Sequence, residues 1–348
     1  MKTTRDGRPF TVIGENIHAT RVVLRSGKRV ATTADGREAL VFAGPDGSTR
    51  LFPLPEAILA SSEFGEGKVK HVRAALLAAL GSDTTEAAVG RDYLAWLATR
   101  QVAAGADFLD LNVDELSEKT EVQRSAMAWL VREIETVAPV PVALDSSGTD
   151  IIRAGLEARD RSRPAPLLNS ASRERLDVLD LAAEHGCPVI VSAAGGTDLP
   201  SNADERVANA LGMVEAATAR GIPLDRLHLD VIVLPVAVDP MVGDAVIGAI
   251  RRLRSELGPT VHLTGGFSNV SFGLPVRTLI NDVFVDLVVE AGADSGIVDP
   301  VASDLKRVFA QDREARPYRL AADLLTGVDQ YGMEFLAAYR KGELASAG

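Results

Sequence analysis

The chain has 348 residues, 46% hydrophobic and 24% charged, with a formal charge of -11. It can bury a large core, and it lacks the clustered Lys and Arg on which phosphate binding depends, which excludes a nucleic-acid partner. Its one cysteine, Cys187, rules out an internal disulfide or a multi-thiolate metal centre. The five histidines, at 18, 71, 185, 228 and 262, hold no metal-ligand spacing. No apolar signal core opens the sequence and no run reaches the roughly 18 apolar residues that span a bilayer, so no membrane association is expected and the expected location is the cytoplasm.

Short apolar runs alternate with helical patterns along the chain. The first run, Phe10–Gly14, leads into Glu15 and Asn16. Turn signals at 24–28, 34–37 and 44–48 then separate β-prone stretches, which predicts a β-meander inserted over 21–55. Apolar spacings of three and four predict helices over Tyr93–Ala104, Glu121–Val137, Arg173–His185 and Ala203–Arg220. Between and after them fall strand-like runs at Phe108–Val113, Val140–Asp145, Leu167–Ser170, Val189–Ala193, Leu227–Asp230, Val261–Gly265 and Ser295–Asp299. From Arg316 onward two further helical patterns form a carboxyl-terminal extension, 316–348.

Eight strands alternating with helices predict an α/β chain, a (β/α)8 TIM barrel built as one domain over 1–348. An open doubly wound sheet would carry a glycine-rich turn after its first strand, and Gly14-Glu15-Asn16-Ile17-His18 is not one. Two domains would need a linker, and none separates the second strand from the last. The insertion lies in a strand-to-helix loop, so it is expected at the active face.

The polar side chains at the strand ends are Glu15, Asn16, Asp110, Asn112, Asp145, Asn169, Asp230 and Asn269. The last sits in Gly265-Gly266-Phe267-Ser268-Asn269, where two glycines would let the backbone approach a flat ligand. Each position also has a local explanation: Asp145-Ser146-Ser147 and Asn169-Ser170 read as helix N-caps, and Ser268-Asn269 as part of a turn. A rim of carboxylates and carboxamides, without a Schiff-base lysine or a Ser-His-Asp set, suits a heterocycle edge rich in N–H and C=O groups, a pterin or a purine.

The segments Val12-Ile13-Gly14-Glu15-Asn16-Ile17, Leu109-Asp110-Leu111-Asn112-Val113, Leu144-Asp145-Ser146-Ser147, Leu168-Asn169-Ser170, Leu227-His228-Leu229-Asp230 and Gly266-Phe267-Ser268-Asn269-Val270-Ser271 together resemble the pterin-binding methyltransferases. The likeness is closest to methyltetrahydrofolate:corrinoid methyltransferases, whose barrel is shared with dihydropteroate synthase. It implies methyl exchange between N5 of tetrahydrofolate and the cobalt of a corrinoid. It further implies that Asp145, Asn169 and Asp230 hold the pterin and that Asn269 reaches N5, with Asp230 completing a catalytic pair. Gly266, Ser268, Asn112 and Glu15 complete the expected pterin contacts. Where dihydropteroate synthase has a lysine at the seventh strand end this chain has Asn269, which disfavours pteroate synthesis; a non-catalytic pterin-binding protein is the other alternative. No Asp-x-His-x-x-Gly corrinoid motif is present, so the cobalamin is expected on a separate partner protein. By analogy with relatives that pair, the chain is expected to be a homodimer.

Overall fold

In the computed structural model, which describes residues 2–196 and 198–344, the chain divides into two compact units. The first comprises 14–103 and 108–166, the second 1–13, 104–107 and 167–348. Strand β1 (Pro9–His18) passes from the second unit into the first at Gly14. The sequence predicts that it stops at Gly14, but it continues through His18. Ile17 is fully buried, and the backbone beyond is held by the Ala19 N–H, which donates to the Asn112 carbonyl at 3.0 Å.

In the first unit the insertion forms two small sheets. Val22–Leu24 pairs antiparallel with Lys68–Lys70, outside the meander, while Val30–Thr32, Glu38–Ala43 and Thr49–Pro53 form a three-stranded antiparallel sheet. The turns between these three strands carry glycines at positive φ, Gly36 at +88° and Gly47 at +78°, which a side chain would resist. Helix α1 (His71–Ala79) packs closely on α2 (Thr84–Ala103): a Cβ at Gly90 would lie 2.8 Å from the Ala75 carbonyl oxygen. The meander is seated on α2 by aromatic contacts. Phe42 and Phe52 lie 5.4 and 5.6 Å, centroid to centroid, from the fully buried Tyr93, and Trp96 adjoins both Phe42 and Tyr93. Arg29 lies over the Tyr93 and Trp96 rings and donates to the Tyr93 hydroxyl.

There follow β2 (Phe108–Asn112), α3 (Thr120–Val137), β3 (Val142–Asp145) and α4 (Thr149–Ala158). The strands pair in parallel with Asn112 opposite Asp145. Helix α4 is preceded by Gly148, which makes no side-chain cap, so the Asp145 and Ser146 side chains are not spent on capping it.

The second unit contains β4 (Leu167–Ala171), α5 (Asp177–His185), β5 (Val189–Ser192), α6 (Ala203–Thr218), β6 (Leu227–Asp230), α7 (Val242–Leu257), β7 (His262–Thr264), α8 (Arg277–Ala291) and β8 (Ser295–Val298). Strands β4 to β7 pair in parallel in chain order, and Gly266 bridges in parallel to Ile297 within β8. The register sets Ser192 beside Asp230 and Asp230 beside Thr264. Val189, Ile190 and Val191 are all fully buried, as expected for a strand apolar on both faces. Helix α9 (Arg316–Leu325) packs on α8, where the Tyr318 hydroxyl and Arg313 Nε both donate to Asp286 at 2.7 and 2.8 Å, and α10 (Met333–Arg340) follows.

Alternation of strand and helix through both units makes this an α/β fold. Among the described residues no helix is long and apolar enough to cross a membrane, and no cluster of three His, Cys, Asp or Glu side chains is placed to hold a metal ion.

Candidate active site

Asp145 is the last residue of β3, and three side chains from neighbouring elements determine its setting. Asn112 Nδ2 donates to Asp145 Oδ2 at 3.0 Å, while Asn112 Oδ1 accepts the Asp114 N–H at 3.0 Å. That second bond fixes which end of the amide faces the carboxylate. From the end of β1, His18 Nε2 reaches the same Oδ2 at 3.1 Å. His18 Nδ1 accepts the Thr20 N–H at 3.3 Å, which places the imidazole proton on Nε2, directed at Asp145. Asp114 in turn accepts from Ser146 Oγ at 2.6 Å and from the Ser147 N–H at 2.8 Å, fixing the loop after β3. Asn112 is buried, whereas Asp145 and His18 keep about a fifth and a quarter of their side chains exposed, as ligand-facing groups require. Glu15, inside β1 rather than at its end, pairs with Arg21 at 2.6 Å; the same guanidinium donates to Asn16 Oδ1 at 2.9 Å.

Asp230, the last residue of β6, is held differently. Its Oδ1 accepts the N–H of Ile232 at 2.9 Å. Burial pushes its carboxyl up to about 6, opposed by that hydrogen bond and by the charge of Arg206. The residue still keeps partial solvent access, the condition of a carboxylate recessed in a depression. Below it on the strand, His228 is buried and stacks on His262 with ring centroids 4.5 Å apart; burial holds it neutral, with a pKa lowered to about 3. Asn169, 9% exposed, lies where the register between β4 and β5 shifts.

The segment after β7 folds into a short 3-10 turn, Phe267–Ser271. The paired glycines make room for this turn's own side chains. A Cβ on Gly266 would meet Asn269 Nδ2 at 2.8 Å, and one on Gly265 would meet the Phe267 ring at 2.9 Å. The bare face of Gly266 is thus filled by the Asn269 amide. Ser268 is buried, and its carbonyl accepts from Arg277 Nη2 at 2.9 Å while Arg277 Nε donates to Ser271 Oγ at 3.0 Å. Arg277 also lies 4.3 Å over the Phe272 ring, so one side chain fastens both ends of the Asn269 turn.

Of the residues singled out in the sequence, Asn112 and Asp145 are in direct contact in the first unit, where Glu15 lies with Arg21. Gly266, Ser268 and Asn269 share one turn in the second unit, where Asp230 and Asn169 end or approach the ends of their strands. A carboxylate with a pKa near neutrality and a carboxamide on a braced turn suit a nitrogen heterocycle that exchanges a proton. A family model described as pterin binding enzyme matches residues 86–299. The chain belongs to the pterin-binding enzyme family.

Among the relatives of this pterin-binding enzyme, the methylcorrinoid:tetrahydrofolate methyltransferase of Eubacterium limosum is 26% identical over 252 residues, covering 71% of this chain and 87% of that protein. A methionine synthase of Mycobacterium leprae is 30% identical over 230 residues, 61% of this chain but only 18% of the longer protein. Among solved structures, dihydropteroate synthase from Xanthomonas albilineans in complex with 7,8-dihydropteroate superposes with a TM-score of 0.51 at 20% identity, covering 88% of this chain and 93% of that one. The enzyme from Stenotrophomonas maltophilia gives 0.50 at 18% identity, over 64% and 86%. At these identities the solved structures establish the fold alone. The family match spans every predicted site residue except Glu15; His18 also lies before it. His18, Arg206 and Arg277 went unpredicted, since each acts through a contact that only the folded chain creates.

Proposed function

We propose that this chain is a methyltransferase that moves a methyl group between N5 of tetrahydrofolate and the cobalt of a corrinoid carried on a separate protein, as one component of a methyl-transfer or demethylase system. The observation that carries the reading is the amide of Asn269, held on the braced turn after β7 in a pterin-binding enzyme whose relatives include a methylcorrinoid:tetrahydrofolate methyltransferase. The corrinoid supplies the methyl-accepting or methyl-bearing metal.

The chain's own residues bind and protonate. Asp145 and Asp230 accept from the N–H edge of the pterin, Asn169 offers both a donor and an acceptor, and Asn112, Ser268, Gly266 and Glu15 shape the surroundings. A neutral amine leaves poorly, so N5 needs a hydrogen bond that strengthens as its bond to the methyl breaks; Asn269 donates it. Asp230, with a carboxyl at about 6, exchanges a proton readily near neutral pH. The eight strands are read as a closed (β/α)8 barrel, one domain with its insertion at the active face, in a homodimer of the cytoplasm. The insertion, fixed on α2 by Tyr93 and Trp96 and with its first strand starting four residues after His18, suits a docking surface for the corrinoid protein.

A mixture of the protein with methylcobalamin and tetrahydrofolate is expected to lose the methylcobalamin spectrum and form methyltetrahydrofolate. Turnover of 4-aminobenzoate to a pteroate, with no methyl transfer, would identify a dihydropteroate synthase instead. Binding of the pterin with neither reaction would leave a non-catalytic binding protein. Asn269→Ala is expected to cut transfer about a hundredfold while pterin affinity changes far less; equal losses in both quantities contradict the role given to the amide.

A further inference from the structure

Among the described residues, the largest fully buried side chain is a cation without an ion-pair partner. Arg206, on α6, has no exposed surface, and among the described residues its hydrogen bonds run to backbone carbonyls and it forms no ion pair. A buried charge of this kind is retained only where its surroundings answer it with hydrogen bonds. Arg206 Nε donates to the carbonyls of Val231 and Ile232 at 3.1 and 3.3 Å, and Nη1 donates to the Asn202 carbonyl at 3.0 Å. Nη2 has no hydrogen-bond partner.

The carbonyls it holds are the two that flank the nitrogen serving Asp230. The Val231 carbonyl and the Ile232 N–H belong to one rigid peptide plane. One edge of that plane is gripped by Arg206 and the other donates to Asp230 Oδ1 at 2.9 Å. Ile232 sits at φ +56°, a left-handed conformation that a β-branched residue resists, so the loop needs an external restraint to keep it there. Arg206 supplies it through the Ile232 carbonyl. The peptide dipole thereby points its positive end at the carboxylate, and the guanidinium charge lies behind it.

We infer that Arg206 is a positioning residue that sets the orientation and charge state of Asp230 through the Val231–Ile232 peptide. The inference deepens the proposed function and rests on its assignment of Asp230 to the pterin. Other charged groups in this neighbourhood are few. Glu205 on α6 and Asp239 in the loop after β6 act on Arg206 itself, while Asp294 acts on His228, which stacks on His262 two residues below Asp230. The β7 neighbour, Thr264, is uncharged. Removing Arg206 therefore removes the cation whose charge lowers the Asp230 carboxyl.

The test compares the unaltered chain with Arg206→Met, Arg206→Lys and Asp230→Asn, each confirmed as folded by circular dichroism, in tetrahydrofolate binding between pH 5 and 8.5. The unaltered chain is expected to show an inflection near pH 6 that disappears in Asp230→Asn. Arg206→Met is expected to raise that inflection by about one pH unit, and Arg206→Lys, which keeps the charge but not the planar fork, to restore most of it with weaker binding. An unchanged inflection in Arg206→Met, with only a lower melting temperature, reduces Arg206 to a packing role and overturns the inference. Should the protein bind no tetrahydrofolate at any pH, the proposed function fails. The carboxyl titration of Asp230, read by 13C NMR as the difference from Asp230→Asn, then still decides whether Arg206→Met moves it. If Arg206→Met does not fold, the Arg206→Lys titration decides alone: the inflection kept near pH 6 supports the inference only if orientation-sensitive binding falls at least severalfold, and unaltered binding overturns it.

Discussion

Asp145 and Asp230 each close a parallel strand, β3 in one unit and β6 in the other, yet they are held by different kinds of donor. Asp145 receives side-chain donors on Oδ2, Asn112 from the neighbouring strand and His18 from the end of β1. Asp230 receives a backbone N–H from its own loop and is otherwise governed by burial, which lifts it to about 6. The same residue type is therefore fitted for two tasks. A carboxylate oriented by side chains is a fixed acceptor, whereas one controlled by desolvation is suited to carrying a proton.

The sharpest way to break this contrast is Asp230→Asn. It removes the titrating group while preserving its shape, and methyl transfer is expected to fall about a hundred- to ten-thousand-fold, measured by single-turnover kinetics. A variant that keeps full activity would show that the two carboxylates share one passive role. Gly266→Ala is expected to come next. Its new Cβ lies 2.8 Å from the Asn269 amide, which must move, so transfer should drop about tenfold or more while tetrahydrofolate affinity changes far less. His18→Ala should have the opposite profile, weakening tetrahydrofolate binding about tenfold, as expected for one hydrogen bond to a charged group, with the rate of the bound complex little changed.

The smallest effect concerns stability and its sign follows from the raised carboxyl of Asp230. An unfolded Asp titrates near 4; between about 4 and 6 the folded chain keeps a proton that the unfolded chain has lost, so this group's contribution to stability falls as pH rises. By pH 8 the cost amounts to about 3 kcal/mol. Asp230→Asn is accordingly expected to melt several degrees higher than the unaltered chain at pH 8 and at about the same temperature at pH 4, by scanning calorimetry. A melting temperature that does not rise at pH 8 would contradict the desolvated state of the carboxylate.

Much of this was legible from the residues alone, and the exceptions have physical causes. Leu227–Asp230 is a run of apolar and β-prone residues between turn signals, and the observed strand has the predicted bounds. The helix predicted over Tyr93–Ala104 begins nine residues earlier, at Thr84, a start that local pattern does not mark because Thr84 to Arg91 lacks apolar spacing. It is instead fixed by Asp83, whose carboxylate accepts the N–H groups of Thr85 and Glu86, and by the close approach that Gly90 allows to α1. In the insertion, Val22–Leu24 alternates like a meander strand, but its partner is Lys68–Lys70, a pairing that local pattern does not encode. At the site, polar residues at strand ends are visible as a pattern, whereas the roles of His18 and Arg206 are not. A lone histidine says nothing until β1 extends past Gly14 and brings it to Asp145. A helix arginine reads as solvated until α6 turns it inward to the Val231 and Ile232 carbonyls.

The aromatic seat of the meander has a consequence for how the first unit comes apart. Small antiparallel sheets fray on their own, and their amides normally exchange with solvent through cheap local openings. Here Phe42 and Phe52 cannot leave without uncovering Tyr93, whose hydroxyl bonds His71 Nδ1 on α1 at 3.1 Å. Opening the meander therefore means disturbing α1 and α2 as well. Its amides should exchange as slowly as those of the helices it covers, so that an appendage outside the matched family region opens and closes with the family's own scaffold.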